Sequence, residues 1–183
     1  MSFKIMVEGG SLGFSAAHFI TFEGECEPLH GHNYGVQVEA SGPLTADSYV
    51  IDFLVMKDIV RTLCKDWDHR FLLPLRNPHL RVTEREDVWE LEFDAHNRYA
   101  LAKGAVVPLE VDNATAERLA ELLSHRIAET LRERGLGATL ERLLVGIEET
   151  EMQTAFYTLD LRANVPPPAE HPPGAAARRR PPS

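Results

Sequence analysis

The chain has 183 residues, 44% of them apolar, which suits one domain with a proper core. Its net charge is −9, and because the last twenty residues carry three arginines against Glu170 the remainder stands at −11, which argues against a nucleic-acid binder that neutralises phosphates with basic patches. The start shows no signal-peptide pattern, no segment approaches a membrane span, and two cysteines, Cys26 and Cys64, are too few for a disulfide framework and suit a reducing cytoplasm.

In chain order, Phe3 to Glu8 alternates loosely and Leu12 to Phe19 is a second apolar run, with Gly9-Gly10 between them as a bulge or turn in one sheet edge. Thr21 to Leu29 reads as a loop. Tyr34, Val36, Val38 and Ala40 alternate with Gly35, Gln37, Glu39 and Ser41, a half-buried strand ended by Gly42-Pro43. Asp52 reads as the N-cap of a helix to about Trp67, in which Met56, Ile59, Val60, Leu63 and Trp67 share one face. Within the insertion Asn77 to Asp112, the pattern predicts a hairpin of Val88 to Phe93 and Arg98 to Ala102 around Asp94-Ala95-His96-Asn97, then a short strand at Val106 to Val111. A second helix runs from about Thr115 to Arg134, capped by Asn113 or Thr115, with Leu119, Leu123, Ile127 and Leu131 as its stripe and Gly135 and Gly137 as its stop. Leu143 to Glu149 and Ala155 to Leu159 read as two strands. From Asn164 onward, prolines, alanines and arginines without periodicity predict a disordered tail, 164–183, after a domain of 1–163. The layout is α+β, with helices on one face of an antiparallel sheet.

The chemistry concentrates in His18, His30 and His32. In an extended chain, side chains at i and i+2 share a face, so His30-Gly31-His32 points two imidazoles at one spot, and His18 on another run completes three nitrogens. Zinc held by three histidines keeps a position open for water or substrate, the catalytic arrangement. Cys26, four residues before His30, is either a fourth ligand closing the site or a base outside it, its pKa lowered by zinc and a neighbouring histidine. Asp68 could set the tautomer of His69, although adjacent side chains need not touch. Glu148 and Glu149 face opposite ways on a strand, so one of them at most enters a given pocket. A carboxylate there can accept paired hydrogen bonds from the amide edge of a heterocycle. Cys64 fits the buried side of its helix.

The segments Phe14-Ser15-Ala16-Ala17-His18, Cys26-Glu27-Pro28-Leu29-His30-Gly31-His32-Asn33-Tyr34, Val50-Ile51-Asp52-Phe53, Trp67-Asp68-His69 and Ile147-Glu148-Glu149-Thr150 occur in one order. Together they resemble the family of 6-pyruvoyl- and 6-carboxy-tetrahydropterin synthases. The resemblance implies the tunnelling fold (T-fold), a four-stranded antiparallel sheet with two helices, here with an inserted hairpin region. It implies zinc on His18, His30 and His32, proton transfer by Cys26, Asp68 and His69, and a pterin anchor at Glu149. Asn113, Thr115 and Glu117 lie where the family has a substrate-binding Asn-Pro-Thr-x-Glu segment, here without the proline. The spacing of Cys26 to His30 resembles the 6-carboxy branch of the queuosine and 7-deazapurine route, which implies a lyase acting on 7,8-dihydroneopterin triphosphate in the cytoplasm. Glu27 also gives a Glu-x-x-His-Gly-His reading. That resembles relatives releasing 6-hydroxymethyl-dihydropterin, with Glu27 as the alternative base, and 6-pyruvoyl-tetrahydropterin is the other product considered. A non-catalytic, zinc-stabilised pterin-binding module is the rival of another class. The resemblance further implies a homo-oligomer, a hexamer favoured, with sheet edges paired between subunits.

Overall fold

Alternation along two neighbouring runs builds the centre of the sheet. The protein is described by a computed structural model covering residues 2–94 and 97–162; the predicted tail and the hairpin-tip residues Ala95 and His96 lie outside the described residues. The strands are β1 (Phe3–Val7), β2 (Gly13–His18), β3 (Thr21–Phe22), β4 (Glu25–Cys26) and β5 (His30–Gly42), followed by helix α1 (Phe53–Trp67). After α1 come β6 (Arg70–Pro74), β7 (Arg81–Glu84), β8 (Val88–Glu92), β9 (Arg98–Ala102) and β10 (Val106–Leu109), then helix α2 (Ala116–Glu133), β11 (Arg142–Thr150) and β12 (Gln153–Asp160).

β1 and β2 lie end to end along one side of β5, pairing Phe3 with Gly42 and His18 with His30. The residues between them loop out through Gly9 and Gly10, both at positive φ, which an L side chain adopts only with strain. β5 pairs antiparallel with β11 on its other side, and β11 with β12. These are the four antiparallel positions that the sequence predicts, but the sheet is larger and mixed: β6 joins β2 in parallel through Ala16 and Ala17, and β10 joins β6 in parallel. The order is β10-β6-β2-β5-β11-β12.

Both helices cover one face. Asp52 caps α1 by accepting the Leu54 N–H at 2.6 Å, and Thr115 caps α2 by accepting from Arg118 N–H, each satisfying an otherwise orphan donor. Met56, Ile59, Val60, Cys64 and Trp67 of α1 and Leu119, Leu123, Ile127 and Leu131 of α2 are buried against Val36, Val38, Leu72, Val145 and Ile147 of the sheet. Each such side chain contributes about 1.5–3 kcal/mol of burial.

The opposite face carries a second apolar cluster. Phe19, Phe71, Leu73 and Val106 pack with Leu80 and Leu91, and with Trp89, Phe93, Tyr99 and Leu101 of a three-stranded meander, β7-β8-β9. The first part of the insertion is thus a small sheet of its own, with β7 added to the predicted hairpin, while β10 joins the main sheet.

Candidate metal centre and active site

β2 and β5 deliver the three histidines. Phe14, Ala16 and His18 alternate on the helix side of β2, and Tyr34 continues the His30, His32 face of β5. Strand pairing places His18 directly opposite His30. One ring nitrogen from each of His18, His30 and His32 falls within 4.8 Å of the others.

Hydrogen bonds fix the tautomers of two rings. His18 Nδ1 lies 2.7 Å from the Ala114 carbonyl and His30 Nδ1 lies 2.8 Å from that of Pro28. A carbonyl only accepts, so both Nδ1 atoms carry the proton and both Nε2 atoms present lone pairs. Those two Nε2 atoms face each other at 3.1 Å. Facing lone pairs repel unless a cation lies between them, and two nitrogens at about 2.0–2.1 Å from one tetrahedral zinc stand roughly 3.3 Å apart. Burial, the largest influence on His18, lowers its pKa and keeps the ring neutral, the form that ligates. The donor set fits a metal ion.

Gly31 is demanded by this geometry. A Cβ on it would stand 2.9 Å from the Ala16 carbonyl oxygen of the neighbouring strand, so any side chain would prise β5 from β2 between His30 and His32.

Two further groups meet the cluster. Glu149 Oε1 stands 3.4 Å from His18 Nε2 and 3.9 Å from His32 Nε2. Tyr34, 2% exposed and stacked on Phe14, donates its hydroxyl to that same oxygen at 3.3 Å and lies 3.2 Å from both ring nitrogens of His18. Tyr34 reads as an ordinary core position in the sequence; its distance of two residues from His32, on the same strand face, is the signal that marks it. Glu148 takes the other face, its carboxylate close over Gly35.

Asp68 and His69 do touch: His69 Nδ1 donates to Asp68 Oδ2 at 2.9 Å, and Asp68 Oδ1 accepts the Ser15 N–H at 2.8 Å. The Ser15 bond, then His69, hold the Asp68 carboxyl below its usual range. His69 sits at φ 58, pinned by its own N–H to the Ser15 carbonyl. The pair opens onto a polar cleft of about 720 Å³ with Ser15, Asn33 and Glu148, on the sheet face opposite the histidine cluster.

Cys26 lies on a tight hairpin that sequence reading takes as plain loop. Glu23 and Gly24, both at positive φ, make the two-residue turn between β3 and β4. Among the described residues, the group that could hold a metal ion is His18, His30 and His32, without Cys26. Among the protein groups, burial first, then Asp94 and Glu27, push its thiol up. Glu27 beside it is exposed. Asn113 spends its amide on Thr21, donating to the carbonyl at 2.9 Å and accepting the N–H at 3.3 Å. Thr115 is the cap of α2 and Glu117 lies in its exposed first turn. Cys64 is buried on α1, and its thiol is pushed up to about 12 by desolvation.

Residues 11–160 match the family model described as 6-pyruvoyl tetrahydropterin synthase. This chain belongs to that family. A relative from Methanocaldococcus jannaschii named a putative 6-carboxy-5,6,7,8-tetrahydropterin synthase is 31% identical over 147 residues, 80% of this chain and 89% of that one. The solved 6-pyruvoyl tetrahydropterin synthase of Plasmodium vivax superposes with a TM-score of 0.83 at 29% identity, covering 88% of this chain and 99% of that one. A variant of that synthase, in which a catalytic glutamate is replaced by alanine, matches at 28% identity with the same score and coverage. The tunnelling fold is therefore the fold of this synthase-family chain. Among the described residues no helix is long and apolar enough to cross a membrane.

Proposed function

We propose that this protein converts 7,8-dihydroneopterin triphosphate to 6-carboxy-5,6,7,8-tetrahydropterin, with loss of triphosphate and acetaldehyde, using zinc on His18, His30 and His32. The pair of facing Nε2 lone pairs, joined by His32, is the observation that carries this reading, alongside the relative named a putative 6-carboxy synthase. When bound, the ion would supply Lewis acidity toward the hydroxyls of the substrate side chain. Cys26 moves a proton at that side chain. Asp68 accepts from His69 Nδ1–H, which leaves His69 Nε2 as the basic nitrogen. Glu149 accepts the paired N–H donors of the pterin amide edge, with its Oε1 oriented by the Tyr34 hydroxyl. Thr115, Glu117 and Asn113 border the substrate from the start of α2.

Because the Asp68–His69 pair and the histidines lie on opposite faces, the full constellation needs a second copy of the chain. β1 and β12 each leave one edge without a partner strand among the described residues, and open edges are normally paired or blunted. A homo-oligomer, a hexamer in our reading, joins these edges and works in the cytoplasm.

One observation favours a second reading. A solved relative has a catalytic glutamate, and Glu27 stands exposed next to the buried-leaning thiol. As the base, Glu27 would release 6-hydroxymethyl-dihydropterin, or the pyruvoyl product would form. Zinc-loaded protein incubated with dihydroneopterin triphosphate, its products resolved by mass, decides between them. The wild type is expected to give the carboxy product, and Cys26→Ala to keep its zinc and lose most turnover. Hydroxymethyl product persisting in Cys26→Ala and vanishing in Glu27→Gln would transfer the role to Glu27. A zinc-loaded wild type forming no product at all would overturn the enzymatic reading.

A further inference from the structure

The β7–β9 meander has no part in the histidine cluster, yet it reaches the hairpin that bears Cys26. Thr21 faces Cys26 across the β3–β4 ladder, and every polar atom of Thr21 is engaged. Asn113 takes its N–H and carbonyl. Asn77, 6% exposed at the entry to the meander, donates to its Oγ1 at 2.7 Å, while Asn77 Oδ1 accepts the His79 N–H at 3.0 Å. On the apolar side, Tyr99 of β9 stacks on Phe19 at 5.6 Å and 23°, and Phe19 in turn meets Phe71 at 5.3 Å. Cys26 packs against this same cluster. The hairpin is otherwise a two-residue ladder, too short to hold a side chain in place alone.

We propose that the β7–β9 meander is a positioning element for Cys26, fixing the β3–β4 hairpin through Asn77 and the Tyr99–Phe19 stack so that the thiol is held half-buried at one orientation. The inference rests on the proposed role of Cys26, and its test reads the thiol itself rather than turnover. The charged groups acting on the sulfur come from both sides of this contact: Asp94 at the meander turn and Glu27 on the hairpin, each opposing ionisation. The meander therefore restrains the thiol both in space and in charge.

Alkylation of the zinc-loaded, full-length protein by iodoacetamide, followed by mass for each cysteine, tests this. Cys64, 2% exposed, serves as the internal reporter of intact folding. Asn77→Ala and Tyr99→Leu are expected to speed Cys26 alkylation at least about fivefold, as a locally released segment opens more often, with Cys64 still unreactive and zinc stoichiometry unchanged. Tyr99→Phe keeps the stack and should retain the wild-type rate. Asp94→Asn should raise the Cys26 rate at pH 7 about threefold by enlarging the thiolate fraction. Unchanged Cys26 rates in both Asn77→Ala and Tyr99→Leu would overturn the proposal, as would a Tyr99→Phe rate matching that of Tyr99→Leu. Should Cys26→Ala retain full turnover while the meander variants still release the thiol, the catalytic assignment of Cys26 falls and the positioning role stands.

Discussion

Replacing Tyr34 by phenylalanine removes one hydroxyl and nothing else from the floor of the site. The ring keeps its stack on Phe14, with centroids 4.8 Å apart and planes 23° from parallel, so the packing contribution survives. What is lost is the donor to Glu149 Oε1 at 3.3 Å, together with the hydroxyl's approach to the two His18 ring nitrogens at 3.2 Å. A hydrogen bond to a charged group contributes about 1.5–3 kcal/mol. This one is long, and the Glu149 side chain is 23% exposed, so water recovers part of it and the contribution falls to or just below the bottom of that range, about 1–1.5 kcal/mol. For a protein of this size that corresponds to a fall in Tm of roughly 2–6 °C. Thermal melts of metal-free and zinc-loaded protein, wild type against Tyr34→Phe, measure it. The pterin affinity of the variant should fall as well, because Glu149 loses the contact that orients it, while zinc stoichiometry stays at the wild-type value. A Tm equal to or above the wild type, together with unaltered pterin affinity, would show that the hydroxyl does not hold Glu149.

Two other perturbations probe the strand geometry and the Asp68–His69 pair. Gly31→Ala drives a methyl group to 2.9 Å from the Ala16 carbonyl oxygen and should weaken zinc binding at least about tenfold, or roughly 1.4 kcal/mol; competition with a chromophoric chelator that finds wild-type affinity would refute the spacing argument. The Asp68 carboxyl, held below its usual range by the Ser15 N–H and then His69, adds stability that is fully present above the unfolded value of about 3.9 and is lost as pH falls through the folded value. The stability gap between wild type and Asp68→Asn should therefore shrink on acidification below about pH 4; a gap that stays constant in urea titrations from neutral to acid pH would contradict it.

The parts of this structure that the sequence announces are those with one wet face. Both helices follow from their stripes and caps, with Asp52 and Thr115 where a capping side chain is needed. β5 follows from its alternation, and the histidine pair from the period of two. β6 escapes the same reading because Phe71-Leu72-Leu73 is apolar throughout: Phe71 and Leu73 face the meander cluster while Leu72 faces the helices. A strand buried on both sides has no period to detect. β10, parallel to it, is legible as the predicted strand from Val106, which the structure ends at Leu109. The β3–β4 hairpin is obscured by its brevity, and only Glu23-Gly24 hints at the turn. Of the site, the three histidines are legible, and so is the divergence of Glu148 from Glu149. The opposite facing of the Asp68–His69 pair is not, because it depends on how α1 hands the chain to β6 beside Ser15. The grip of Asn113 on Thr21 spans 92 residues, which no local pattern encodes.

The separation in sequence between parts of the site sets an order of assembly during synthesis. His18 and His30 are 12 residues apart and meet across adjacent antiparallel strands, a contact with little chain to close. Glu149 reaches Tyr34 from 115 residues downstream, on a strand that completes the sheet only after both helices have emerged. A nascent chain exposed to the end of β5 thus already holds all three nitrogen ligands. Its carboxylate neighbour arrives 115 residues after Tyr34. Metal capture can then precede the closing of the sheet, and an ion bound early would pin β2 to β5 while the rest of the chain is still being made.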